Sequence, residues 1–153
     1  LDTGVVAGLT VGGRGDEGPR LKAKADELRL TKHVKLGVWI DEVSTALDAS
    51  DLFVLPSLDE PFGIVMLEAM ARGIPIVSTK TKGPLEVLSA ETAKLVEIDS
   101  VDGLADAMLQ CAQSPVEAFT RAGRALACYR EHYSEESVIP RIEMLYRRVL
   151  SDS

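Results

Sequence analysis

From Ile64 to Ala71 every residue is apolar except Glu68. A helix apolar nearly all round has to be buried, and an unpaired buried carboxylate is costly. This window therefore constrains the fold more than any other. It is preceded by the apolar run Leu52-Phe53-Val54-Leu55 and a turn through Pro61 and Gly63, and it stops near Gly73. The pattern reads as strand, turn and helix. Glu68 then needs a partner, which a ligand's hydroxyls or a cation would supply. Glu60 lies in the turn ahead of the helix, so both carboxylates and the free N–H groups of the helix start can face one spot.

The rest of the chain alternates in the same way. Val5 to Val11 reads as a short strand ending in Gly12-Gly13, and Pro19 to Leu30 as a helix with Leu21, Ala25 and Leu28 on one face. Pro19 suits the first helical turn. Val34 to Val38 is a second strand, Asp41 to Asp48 a brief helix, and Leu52 to Leu55 a strand covered on both faces. Ile74 to Ser78 is a further buried strand. The loop Thr79 to Gly83 leads to a short helix at Pro84 to Leu88, and Ala93 to Ile98 is the last strand.

The remaining third is helical. Val101 to Gln113 and Val116 to Glu131 flank a break at Ser114-Pro115. Ser134 with Ser137 opens a final helix whose Val138, Ile142, Leu145 and Val149 form a stripe that needs a surface to pack on. Strands alternating with helices imply βαβ units, giving an α/β, Rossmann-like fold with a mainly parallel sheet flanked by helices and a helical C-terminal third. No internal repeat or long linker divides residues 1–153, so a single domain is expected. Ligands of such sheets sit beyond the carboxyl ends of the strands. The loops after 52–55 and after 74–78 both fall on that edge.

Charge narrows the function. The net charge of -7 argues against a protein that grips nucleic acid or anionic membrane. No apolar run approaches the roughly 20 residues of a membrane span, and no charged-then-apolar leader is visible. Cys111 and Cys128 fall in helical patterns and read as small core residues rather than a disulfide. With no CxxC and only His33 and His132, no metal is expected. A cytoplasmic, reducing location fits these bounds, and the start at Leu1 rather than Met suggests a piece of something longer.

Two motifs compete for the ligand. Gly13-Arg14-Gly15-Asp16-Glu17-Gly18 has the letters GxGxxG after a strand and before a helix, the pattern of a dinucleotide site. Asp16 and Glu17 would repel a pyrophosphate there, so an ordinary Gly-rich turn is favoured. The pair Glu60 and Glu68 could equally face solvent. Against that, the helix around Glu68 is otherwise apolar, and Gly63 removes a side chain where backbone N–H groups are free. Helix starts of that kind hold phosphate, and carboxylates grip neutral hydroxyls through charge-assisted hydrogen bonds. Phosphate flanked by hydroxyls describes a sugar nucleotide.

At these residues the sequence resembles a known family. Leu55-Pro56-Ser57, then Glu60-Pro61-Phe62-Gly63, then Glu68-Ala69-Met70-Ala71 is similar to the signature of family 4 retaining glycosyltransferases with the GT-B fold, to which glycogen and sucrose synthases are more distantly related. The hallmark is a Glu, seven residues and a second Glu, with Phe-Gly after the first. The resemblance extends from about Gly12 to Met108 and takes in Val34 to Gly37 and Gly83-Pro84-Leu85-Glu86. It implies a C-terminal, donor-binding Rossmann-like domain, half of a GT-B fold, acting on a nucleoside-diphosphate sugar as co-substrate with no metal or other cofactor. In that role Glu60 is the catalytic candidate, touching hydroxyls of the transferred hexosyl unit. Backbone N–H groups near Phe62, Gly63 and Ile64 would meet sugar and diphosphate, and Glu68 would hold the ribose. Gly37 and Val38 would lie near the base, and Gly83 would belong to a loop contacting the donor.

The family's donor domain normally opens with an extra βα unit carrying an Arg and a Lys for the diphosphate, and this chain shows no match for that pair. The expectation is a domain truncated at its N-terminus, lacking the N-terminal acceptor domain that would be its partner, and inactive in transfer alone. Two other readings stay open. One is a sugar-nucleotide epimerase on the same scaffold, although no His falls in the candidate loops. The other is a non-catalytic nucleotide-binding or interaction module.

Overall fold

The computed structural model describes residues 5, 7–13 and 15–151. Val6 of the first expected strand and Arg14 of the glycine-rich stretch lie outside the described residues. The chain divides into two compact units, the first ending at Ala46 and the second beginning at Leu47. Strands β1 (Leu9–Gly12) and β2 (Val34–Val38), with helix α1 (Gly18–Glu27) between them, make a parallel βαβ unit. Leu9 pairs with Val34, Thr10 with Lys35 and Gly12 with Val38, and the register slips between Thr10 and Gly12. Pro19 sits in the first turn of α1, where its missing N–H costs no hydrogen bond. Of the expected helix face only Ala25 is buried, whereas Leu21 and Leu28 are exposed. A two-stranded sheet is too narrow to cover a whole helix stripe.

Helix α2 (Val43–Asp48) spans the division between the units. The second unit continues with β3 (Phe53–Leu55), α3 (Ile64–Ala71), β4 (Ile76–Thr79), α4 (Lys82–Val87) and β5 (Lys94–Val96). Helices α5 (Val101–Gln113), α6 (Pro115–His132) and α7 (Glu135–Ser151) complete it. Its sheet has the order β3-β4-β5 and is parallel throughout. The alternation of strand and helix thus builds an α/β fold of parallel sheets flanked by helices, in two separate ladders rather than one.

Several expectations shift. Strand β3 is not covered on both faces: Phe53 and Val54 are half-buried and only Leu55 is buried. The doubly covered strand is β4, whose four residues are all buried because a strand lies on either side and helices cover it. Val77 joins Val96, Ala107, Cys111 and Ala118 in the core under α5 and α6. Helix α3 is buried on one side only. Met66, Ala69 and Met70 are at 0% exposure where the helix meets β3, β4 and α6, while Ile64 is 69% exposed. Helix α4 begins two residues earlier than expected, so Gly83 is in its first turn rather than in a loop. Pro84 fits there because the N–H groups of a first turn have no helical acceptor.

Helix ends follow ordinary rules. Gly73, at φ +64°, closes α3, and a Cβ there would stand 3.6 Å from Leu126 of α6. Ser100 caps α5, its Oγ accepting the Gly103 N–H at 3.2 Å. Ser100→Ala is expected to lower stability by about 0.5–2 kcal/mol through loss of that acceptor, measured by urea denaturation against the parent chain. Ser134 is buried and accepts the Ser137 N–H at 3.3 Å, opening α7 as the sequence implies. Of the expected α7 stripe Val138 is half-buried, whereas Ile142, Leu145 and Val149 are exposed. Cys111 and Cys128 are free thiols, the first buried and the second half-buried. Burial pushes the Cys111 thiol above its ordinary pKa.

Candidate functional site

The carboxyl end of β3 delivers the chain into a turn that carries most of the expected site. Glu60 is half-buried, and its Oε1 accepts the Phe62 N–H at 3.4 Å. Gly63 follows at φ +86°, the left-handed region that disfavours a side chain. Space is tight as well, since a Cβ at Gly63 would lie 3.3 Å from Glu60 Cγ and 3.4 Å from Leu55 Cδ2, and those side chains would have to give by a few tenths of an ångström. This conformation turns the chain sharply into α3. The Gly63 carbonyl accepts the Met66 N–H at 2.9 Å, which leaves the N–H groups of Gly63, Ile64 and Val65 without an acceptor among the described residues. Three N–H donors without an acceptor thus lie at the positive end of a helix dipole. The Phe62 N–H, expected to meet a donor molecule, is instead occupied by the Glu60 carboxylate.

Glu68 lies one turn further along α3, on the side that begins at exposed Ile64 and faces away from Met66 and Met70. A rise of 1.5 Å per residue puts it about 6 Å beyond the helix start. Glu68 is half-buried, and its carboxylate has no partner among the described residues. Arg72, four residues on, is committed elsewhere. Arg72 donates from Nη1 to the Glu68 main-chain carbonyl at 3.1 Å and sets its Nε 3.0 Å from Asp48 Oδ1. The carboxylate therefore keeps its full capacity to accept hydrogen bonds.

The second loop, after β4, meets the first. Thr79 Oγ1 donates to the Ser57 carbonyl at 2.6 Å and reaches the Leu55 carbonyl at 3.3 Å. The Gly83 N–H donates to the Glu60 carbonyl at 2.9 Å. Lys80 pairs with Glu97 across the strand ends, and Lys82 is exposed at the start of α4. Sequence reasoning placed Gly83 in this neighbourhood but missed Thr79. Its only signal is a second hydroxyl, after Ser78, at the carboxyl end of a short strand.

Gly37 and Val38 belong to the first unit, at the end of β2. Gly37 has φ +65°, and the Val38 carbonyl accepts the Gly13 N–H at 3.0 Å. The glycine-rich stretch beside them is an ordinary turn in its described residues. Gly18 donates to the Gly15 carbonyl at 3.3 Å, and Glu17 pairs with Arg20 at 2.7 Å. Glu17, the acid expected to repel a pyrophosphate, thus stands at the N-cap of α1. Among the described residues no group of three or more His, Cys, Asp or Glu is placed to hold a metal ion, and no helix is long and apolar enough to cross a membrane.

A turn of this geometry, with two carboxylates flanking a cluster of free N–H groups, can hold an anion and several hydroxyls together. Comparison with known proteins bears on that chemistry. The family profile described as "Glycosyl transferases group 1" matches residues 3–125. The chain is 34% identical over 113 residues to N-acetyl-alpha-D-glucosaminyl L-malate synthase of Bacillus anthracis, covering 73% of this chain and 30% of that protein. It is 36% identical over 99 residues to the lipopolysaccharide core biosynthesis glycosyltransferase LpsE of Rhizobium meliloti (strain 1021), covering 64% and 29%. Among solved structures, Anabaena Alr3699/HepE in complex with UDP and glucose aligns at a TM-score of 0.82 and 26% identity, covering 97% of this chain and 41% of that one. The chain spans 30% and 29% of the lengths of these two curated relatives.

Proposed function

The chain belongs to the group 1 glycosyl transferases, and we propose that it supplies the donor-binding part of a retaining family 4 enzyme. That enzyme moves a hexosyl group from a nucleoside-diphosphate sugar to a hydroxyl acceptor, in the cytoplasm and without a metal. The observation that carries this reading is the unpartnered, half-buried carboxylate of Glu68 one turn beyond the free N–H groups of Gly63, Ile64 and Val65. A diphosphate needs the N–H cluster, and a ribose diol needs a carboxylate with open lone pairs. HepE, a solved relative, was crystallised with UDP, with UDP and glucose, and with UDP-glucose.

The roles divide along the turn. The Gly63–Val65 N–H groups and the α3 dipole stabilise the diphosphate, whose negative charge grows as the sugar bond breaks. Glu60 holds hydroxyls of the transferred sugar and faces the positive charge that develops on its ring. To receive the sugar its carboxylate releases the Phe62 N–H, a long bond at 3.4 Å that yields readily. Glu68 fixes the ribose. Acceptor binding falls, on this reading, to the N-terminal domain that a GT-B fold pairs with its donor-binding half.

Calorimetric titration of the 153-residue chain tests this. The expected result is saturable binding of UDP-glucose or GDP-mannose, none of NAD, and no sugar transfer by the chain alone. Binding of NAD would return the glycine-rich stretch to contention. Binding of no nucleotide at all would favour the non-catalytic interaction module. Interconversion of the sugar with no acceptor present would mark an epimerase.

A further inference from the structure

We propose that Thr79 and Gly83 are positioning residues that latch the Glu60 turn into its donor-receiving conformation. This rests on reading that turn as the sugar contact. The turn has little to hold it from outside, because Leu58, Asp59, Pro61 and Phe62 are all exposed. It hangs instead between two bonds from one neighbouring segment. Thr79 Oγ1 donates to the Ser57 carbonyl at 2.6 Å, and the Gly83 N–H donates to the Glu60 carbonyl at 2.9 Å. Thr79 is the last residue of β4, the fully buried centre of its sheet, and Gly83 lies four residues on in the first turn of α4. Thr81 between them is buried too.

Gly83 also acts by size. A Cβ there would stand 2.4 Å from Phe62 Cα, 2.5 Å from its carbonyl oxygen and 2.6 Å from its carbonyl carbon. Those are backbone atoms, which cannot rotate out of the way. Any side chain at 83 displaces Phe62, and with it the turn that aims Glu60. Gly83 is therefore assigned here to the protein rather than to the donor, since its N–H is already spent on Glu60. Sites that hold a substrate need their groups fixed to within about 0.5 Å.

The test uses the variants Thr79→Val, Thr79→Ser and Gly83→Ala in the 153-residue chain. Two quantities are read: amide hydrogen exchange at Gly83 and Phe62 without ligand, and the ratio of UDP-glucose to UDP affinity by calorimetry. Thr79→Val is expected to speed exchange at both amides and to cost UDP-glucose about tenfold in affinity while UDP changes less than about threefold. Thr79→Ser, which keeps the hydroxyl, restores both readouts. Gly83→Ala shows the same pattern more strongly, and Thr79→Val carries the test if that variant fails to fold. Unchanged exchange in Thr79→Val, or faster exchange with an unchanged affinity ratio, overturns the positioning role. Failure of the donor-site reading shows separately, because the parent chain then binds neither UDP-glucose nor UDP. In that case the exchange rates alone decide whether the latch exists.

Discussion

Glu68→Ala is expected to weaken UDP binding by about a hundredfold, two ribose hydrogen bonds to a carboxylate being worth about 1.5 kcal/mol or more each. The same substitution should leave thermal stability unchanged or slightly raised. That combination follows from the local electrostatics. The Glu68 carboxylate has no partner among the described residues, so removing it orphans no donor. Arg72 bonds to the Glu68 carbonyl, not to its side chain, and keeps Asp48 as its ion-pair partner. Alanine is also at least as good a helix former as glutamate. A loss of binding with no loss of stability assigns the side chain to the ligand. Unchanged UDP affinity, measured by calorimetry on the folded variant, would remove Glu68 from the site.

The largest effect on stability is expected at the other side of the same helix. Met66 is at 0% exposure, with Met70 and Val77 also fully buried. Truncating it to alanine removes a large buried side chain that a close-packed interior cannot fill by relaxing. Met66→Ala should therefore cost about 2–5 kcal/mol, a large part of the 5–15 kcal/mol typical of a folded domain. Urea denaturation gives the value directly. Ile64→Ala is the control from the same helix: at 69% exposure it should change stability by less than about 0.5 kcal/mol. Equal effects at 64 and 66 would contradict the one-sided burial of α3.

These two predictions sit on opposite faces of one helix that looks almost uniform in sequence. Eight residues with one charge announce a buried helix, but not which side is buried. The same limit appears at the strands. Leu52 to Leu55 and Ile74 to Ser78 are both apolar runs, yet β3 is half-covered while β4 is sealed. Sheet order decides that difference, and order is a long-range property. The α7 stripe shows the converse: its period is plain in the sequence, but nothing local says that Ile142, Leu145 and Val149 stay exposed within this chain.

What the sequence determined by itself was the alternation of strands and helices, the position of the Glu60–Gly63 turn, and the pairing of two carboxylates around a helix start. These rest on short-range rules: hydrophobic period, glycine at a left-handed φ, and the unsatisfied N–H groups of a first turn. Tertiary structure alone decided how that turn is held. The hydroxyl of Thr79 meets Ser57, and the N–H of Gly83 meets Glu60, only because parallel pairing sets Leu55 beside Ser78 and so brings the ends of β3 and β4 together. Residues more than twenty positions apart in the chain become neighbours through that register, and no local pattern encodes it.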